Sequence, residues 1–325
     1  MPDIVKNTLK KIEDNFKVGG LYRYSINKNV FCIHINSIVN ICLSELGYTA
    51  VASKNLDQVI RSKLFSEKDN LFFREINDKN EITIFTFNVC KNALAVLSLI
   101  ADNKIELAKK IIDSLYKSPL FDKTTGLFYR EMHSVSKEIN SLILSQTNLW
   151  MVIALSKLHY TTNASQLMES IEKNLFDRST GMFFSQDCED AHTTAKIFFS
   201  DDQGLAAIAY DCIGQQNKAK SVLEKILNSD LYDKKSGMFN RDISLDNVVN
   251  YTKNTYKNSL LCIALNRLGF RNECKKVQDG LMSLLFDKDL SLFHFSDVDT
   301  TKIPDNSTLA LLALLEDHKT PRFLA

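Results

Sequence analysis

The chain has 325 residues, 45% hydrophobic and 24% charged, with 40 Lys and Arg against 39 Asp and Glu, 10 Gly and only 4 Pro. A formal net charge of +1, with basic residues spread along the whole sequence, excludes the basic stripe of a nucleic-acid binder, and the composition excludes a disordered chain. No uninterrupted apolar stretch approaches the ~20 residues of a membrane span, so no membrane insertion is expected.

From the N-terminus, the first twenty residues carry Asp3, Glu13 and Asp14 inside an amphipathic pattern with no apolar leader segment. An aromatic box then recurs six times, as GLYRYS from Gly20, NLFFRE from Asn70, GLFYRE from Gly126, GMFFSQ from Gly181, GMFNRD from Gly237 and SLFHFS from Ser291. The steps are 50, 56, 55, 56 and 54 residues, enough for two helices and a loop per unit. Six units nearly fill the chain, so residues 1–325 are expected to form a single domain, although the length alone would admit two.

The third unit is the most legible. IELAKKIIDSLYKSPLF is an amphipathic helix, DKTTGLFYREM a turn and strand, and SQTNLWMVIALSKLH a more apolar helix. The turn D-[KR]-x-[TS]-G recurs at Asp122, Asp177 and Asp233, where Asp starts an Asx-type turn and Gly supplies positive φ. Asn70 and Ser291 stand where the other boxes have Gly. In the fifth unit NKAKSVLEKILNSDLYD is charged and NSLLCIALNRLGF apolar, the asymmetry of a half-exposed helix outside a buried one. The expected fold is all-α, an (α/α)6 toroid with short β-hairpin loops on one face; a superhelical solenoid of the same unit is its rival.

The seven cysteines, Cys32, Cys42, Cys90, Cys188, Cys212, Cys262 and Cys274, show no CxxC spacing and mostly fall in apolar helical patterns. They read as buried free thiols in a reducing, cytoplasmic setting. No metal or cofactor is expected.

The box L-[FY]-D-x-x-[TS]-G-[LM]-F between an amphipathic and an apolar helix resembles the inter-helix loops of six-hairpin glycosidases and of N-acylglucosamine 2-epimerase-like proteins. The resemblance covers the whole chain in period and architecture, and the box itself is a turn device. It implies a pocket opening where the inner helices begin. For an epimerase of that kind it also implies paired histidines with supporting Arg and Glu, whereas this chain offers His34 at that level and His192 and His294 in loops.

Chain order leads independently to the same face, because every box precedes an inner helix, while the turns leaving the inner helices (46–48, 158–160, 213–215, 268–270) are short. Aligning the inner helices places an amide at one level in every unit: Asn36, Asn92, Asn148, Gln203, Asn258 and Asn306. These amides either cap and bridge the helices or meet the hydroxyls of a polyol. The residues just before them break the symmetry: His34-Ile35, Cys90-Lys91, Gln146-Thr147, Asp201-Asp202, Tyr256-Lys257 and Pro304-Asp305.

Asp201, Asp202 and Asp305 are candidate general acids, bases or nucleophiles if they are not helix caps, with Asp202 and Asp305 the leading pair. His34 and Tyr256 are further proton carriers, and Lys91 and Lys257 proton carriers or anion contacts. Arg74, Arg130 and Arg241 recur beside Glu75, Glu131 and Asp242, as salt bridges or as forks for a sugar acid or phosphate. Trp150, Tyr24, Phe87 and His294 are candidate stacking surfaces, or core.

The leading expectation is a carbohydrate-active enzyme, a glycoside hydrolase or sugar epimerase, acting on a small-molecule sugar or sugar acid. Alternatives are an enzyme on an isoprenoid or apolar substrate in the same toroid, or a non-catalytic binding protein. The sequence carries neither the Cys-His pair of lanthionine-forming cyclases nor a DxDD motif. Oligomeric state is not legible.

Overall fold

The structure is a computed structural model that describes residues 2–190 and 193–315. In chain order its α-helices are α1 (Pro2–Phe16), α2 (Ile33–Glu45), α3 (Thr49–Arg61), α4 (Val89–Ala101), α5 (Ile105–Lys117), α6 (Ser145–Lys157), α7 (Thr161–Leu175), α8 (Ser200–Cys212), α9 (Gln216–Leu227), α10 (Thr255–Arg267), α11 (Arg271–Gly280) and α12 (Pro304–Ala313). A π-helical turn, Leu281–Leu285, continues α11.

Burial divides these helices into two rings. On α5 the buried residues are Ala108, Ile111, Ile112 and Leu115, a stripe at i, i+3, i+4 and i+7, so this helix belongs to the outer ring. On α6 every residue from Thr147 to Leu155 is buried, as befits a helix surrounded by others. Fully burying each Leu or Ile contributes roughly 1.5–3 kcal/mol, which is why helices with modest intrinsic propensity hold. The even-numbered helices pack in sequence, α2 on α4, α6, α8, α10 and α12 in turn, and α12 packs back on α2. That last contact closes the ring and removes the solenoid alternative. Each odd helix from α3 to α11 leans on the inner helix before it, and α1 leans on α12.

All six boxes lie between an outer helix and the inner helix that follows. They form two-residue ribbons such as Phe121–Asp122 with Leu127–Phe128, in which Phe121 faces Phe128 across the pair. In five of these aromatic pairs the rings meet tilted, with centroids 4.9–5.0 Å apart. In the turn, the Asp122 carboxylate accepts from the Thr124 N–H at 2.9 Å and the Thr125 hydroxyl at 2.7 Å, and Gly126 takes φ 71°. Beyond the second, third and fifth boxes lies a second layer that the period did not suggest. Val30–Cys32 pairs with Glu75–Asn77, Thr86–Asn88 with Glu131–His133, and Thr193–Phe199 with Asp242–Ser244, so strands zip neighbouring units together. Pairings across 40 or more residues leave no mark in a local pattern.

No helix among the described residues is long and apolar enough to cross a membrane. Six of the cysteines are free thiols, four of them buried, and the side chain of Cys188 lies outside the described residues.

Ser291 adopts φ 53°, the left-handed conformation that Gly fills at φ 71° in three other boxes. Serine is strained there and glycine is not, so Ser291→Gly should stabilise the fold by about 0.5–1 kcal/mol. Urea denaturation measures this, and a loss of stability would show that the Ser291 side chain contributes more than its backbone costs.

Candidate active site

The repeated amides are the joint between box and helix. Asn148 Oδ1 accepts the backbone N–H of Phe128 at 2.8 Å, while its Nδ2 donates to the Phe128 carbonyl at 3.1 Å and to the Leu144 carbonyl at 3.1 Å. Asn36 clamps Tyr22 in the same way, Asn92 clamps Phe72, Gln203 clamps Phe183 and Asn258 clamps Phe239. Each satisfies both backbone groups of a buried aromatic, which would otherwise be orphaned. These five side chains are therefore spent on structure, and none of them lines the cavity. In the sixth unit the clamp is Ser307, whose Oγ accepts the Phe293 N–H at 3.0 Å, so Asn306 sits one residue off the level expected of it.

Counting back two residues from each clamp gives His34, Cys90, Gln146, Asp201, Tyr256 and Asp305. All six line one cavity of about 320 Å³ at the mouth of the inner ring, within the range of small-molecule sites. Lys91, Lys257, Asn254 and Asn306 join them, and Tyr24, Phe295 and Ile303 form the rim. One helical turn deeper, Ile38 and Leu94 continue the lining, and Trp150, Leu260 and Leu309 bound an apolar recess beneath. That floor was within reach of the sequence, since each of its residues lies four positions after a ring residue.

The ring is electrically uneven. Asp201, only 2% exposed, forms an ion pair with Lys257 and accepts from Gln146 Nε2 at 3.0 Å. Lys257 also lies over the Phe199 ring, 4.6 Å from its centroid. Among the described residues Asp305 has no cation within ion-pair distance, and burial pushes its carboxyl up to about 6 against the pull of the Asn306 N–H on its Oδ1 at 2.9 Å and of the more distant Lys91 charge. Burial, then the Lys91 and Arg74 charges, hold His34 well below the ordinary histidine value, so its imidazole is neutral. Burial and Arg74 also lower Lys91. Tyr256 is raised by burial and by its neighbours Cys90, Asp201 and Asp305, which keeps its phenol protonated.

Other expected residues fall elsewhere. Asp202, 1% exposed, does not line the cavity; its Oδ2 accepts from Ser185 Oγ at 2.8 Å, and that hydroxyl accepts the Ser145 N–H at 3.1 Å. Burial and the Asp201 charge raise it to about 7, and its function is to tie the fourth box to the start of α6. Arg74 bridges neighbouring units through Glu131 at 3.7 Å, whereas Arg130 and Arg241 lie nearest the acidic residue that follows each, at 4.0 and 3.2 Å. None of the three lines the cavity, so they do not converge as a fork. Phe87 is core, stacked on Phe73, and His294 is held by Lys302 outside the cavity. His192 lies outside the described residues.

No family model matches the chain, and no curated protein matches it significantly. Solved structures do. A cellobiose 2-epimerase from Bacillus thermoamylovorans superposes at TM-score 0.77 with 12% identity over 100% of this chain and 98% of its own. A D-mannose isomerase gives 0.77 with 13% identity, covering 95% of each chain. An α-amylase from Clostridium perfringens gives 0.74 with 13% identity over 95% of this chain and 96% of its own. This is the (α/α)6 toroid. At such identities the likeness is one of fold.

Asn148→Ala should strip the Phe128 N–H and carbonyl of their partners and cost about 2–4 kcal/mol in denaturant unfolding. A loss under about 0.5 kcal/mol would mean that the amide clamp is dispensable. Asp305 supplies a pH test. Its folded value is raised above the ordinary ~3.9, so the folded state holds the proton more tightly and stability falls as pH rises from about 4 through about 6. Relative to Asp305→Asn, the natural protein should lose on the order of 2–3 kcal/mol across that window; parallel curves would place Asp305 in water-like surroundings.

Proposed function

We propose that the chain is a carbohydrate-active enzyme that cleaves a small sugar substrate in this cavity by acid–base chemistry between two carboxyl groups, Asp305 and Asp201. The observation that carries the reading is the contrast in their surroundings. Glycoside hydrolysis needs one carboxyl that still holds its proton and one that does not. Asp305, buried and outside any ion pair among the described residues, suits protonation of the departing glycosidic oxygen. Asp201, set between Lys257 and Gln146, suits activation of a water that adds to the sugar carbon. Tyr256 lies between them on α10 and can donate to a substrate hydroxyl.

A cavity lined by Asp, Lys, His and Tyr favours chemistry over passive binding, and its charged ring disfavours an isoprenoid. Ile38 and Leu94 in the cavity lining suit the C–H face of a sugar ring, and Trp150 packs beneath them. Hydrolysis is favoured over epimerisation because, among the described residues, His34 is the one histidine that lines the cavity and its proton affinity is depressed. The sugar-processing names of structures sharing the fold support the substrate class by analogy alone.

Turnover of a panel of aryl glycosides, followed by product release, tests this. Asp305→Asn and Asp201→Asn should each lower kcat by about 10²–10⁴-fold in protein that circular dichroism shows to be folded. Asp202→Asn should act mainly on stability. Unimpaired turnover in both of the first two variants would remove the two-carboxyl mechanism.

A further inference from the structure

The two halves of the cavity differ in how well their polar groups are satisfied. On α6, α8 and α10 the side chains are mutually engaged: Gln146 donates to Asp201, and Asp201 pairs with Lys257. On the next three helices around the ring, α12, α2 and α4, they are not. Among the described residues the Lys91 ammonium has neither hydrogen bond nor ion pair, and the carboxylates whose charges it feels, Glu131 and Asp305, stand beyond ion-pair distance. Among the same residues neither ring nitrogen of His34 has a partner, and Nδ1 is fully buried. The Asn306 carboxamide has none either, and its Nδ2 is buried with no acceptor. All three side chains line the same cavity.

These groups offer mostly donors. An ammonium brings three, a neutral imidazole one and a carboxamide two, against single acceptors on the last two. Desolvating an unpaired cation is costly unless a ligand supplies its counter-charge. The N-termini of the three helices and the nearby Arg74 add positive potential at the same wall. A sugar hydroxyl both donates and accepts and carries no charge, so it answers the shortage of acceptors only in part and the charge not at all. A carboxylate or phosphate answers both, being acceptor-only and anionic.

We propose that Lys91, with His34 and Asn306, forms an anion subsite that holds the acidic group of a sugar acid, so that the substrate is an acidic sugar and not a neutral one. This rests on the carbohydrate reading of the same cavity. The satisfied half then carries the water-activating carboxylate, and Asp305, next to the subsite on α12, faces the bond to be broken.

Calorimetric titration with D-glucose, D-glucuronate, glucose 6-phosphate and inorganic phosphate, on the natural protein and on Lys91→Gln, tests the subsite. The natural protein should bind glucuronate roughly 10- to 100-fold more tightly than glucose. Lys91→Gln should erase that preference while changing glucose affinity less than about 2-fold. Its thermal midpoint should be equal or higher, because a buried unpaired charge has gone. The phosphate-bearing arm decides which anion fits: preference for glucose 6-phosphate over glucuronate would assign the subsite to phosphate and overturn the carboxylate. Equal affinity for glucose and glucuronate, or an acid preference that survives Lys91→Gln, overturns the subsite and leaves the carbohydrate reading standing. Silence from every sugar with Lys91-dependent binding of inorganic phosphate overturns the carbohydrate reading and keeps the subsite. Silence from every probe overturns both.

Discussion

The grip of an inner-helix amide on the backbone of a box aromatic is the constraint on which the rest of the molecule depends. It joins the two halves of each unit, since the aromatic ring is buried beneath the outer helix while its N–H and carbonyl are held by the inner one. A polar group with two complementary bonds to a buried backbone is hard to displace, because either bond lost leaves an orphan in a dry environment. Five units use Asn or Gln and the sixth uses a serine hydroxyl. Each clamp fixes both the rotation and the height of its helix. The residue two positions earlier is thereby aimed at the axis, and six such residues make the ring of the cavity.

Symmetry in the scaffold coexists with asymmetry in the ring. Equivalent backbone positions carry His34, Cys90, Gln146, Asp201, Tyr256 and Asp305, so a repeated scaffold presents six chemically different side chains to one cavity. Asp201 and Asp305 sit at the same level of the same fold. One faces an ammonium and an amide, and the other meets the Asn306 N–H, the Tyr256 phenol and, beyond ion-pair distance, the Lys91 charge. Between buried groups such differences act over short distances with little screening, so the two carboxyl groups stand in unlike surroundings.

The same wall that gives the site its character weakens the fold. Lys91, His34, Asn306 and Asp305 are all buried or half-buried and poorly matched, against a background in which the clamp amides are fully satisfied. Local mismatch of this kind concentrates where a ligand completes the set. The surrounding aliphatic rings offset it, since the inner helices are buried on nearly every side.

The sequence by itself determined the repeat, the order of outer helix, box and inner helix, and the face on which loops gather, because these follow from local periodicity and turn chemistry. The level of the ring was legible too: the asymmetric pairs before each amide contain all six ring residues. What the tertiary structure decided was which members of these pairs line the cavity, both in Cys90-Lys91 and Tyr256-Lys257 and one in the others, and here Asp201 took the place expected of Asp202, and Ser307 the place expected of Asn306. A rotation of about 100° per residue separates cavity from interface, finer than an alignment of helix ends resolves. Closure of α12 onto α2, the strands that zip neighbouring units, and the sorting of the cavity into a satisfied and an unsatisfied half are likewise long-range outcomes. They depend on which partners meet across dozens of residues, and no local pattern carries that information.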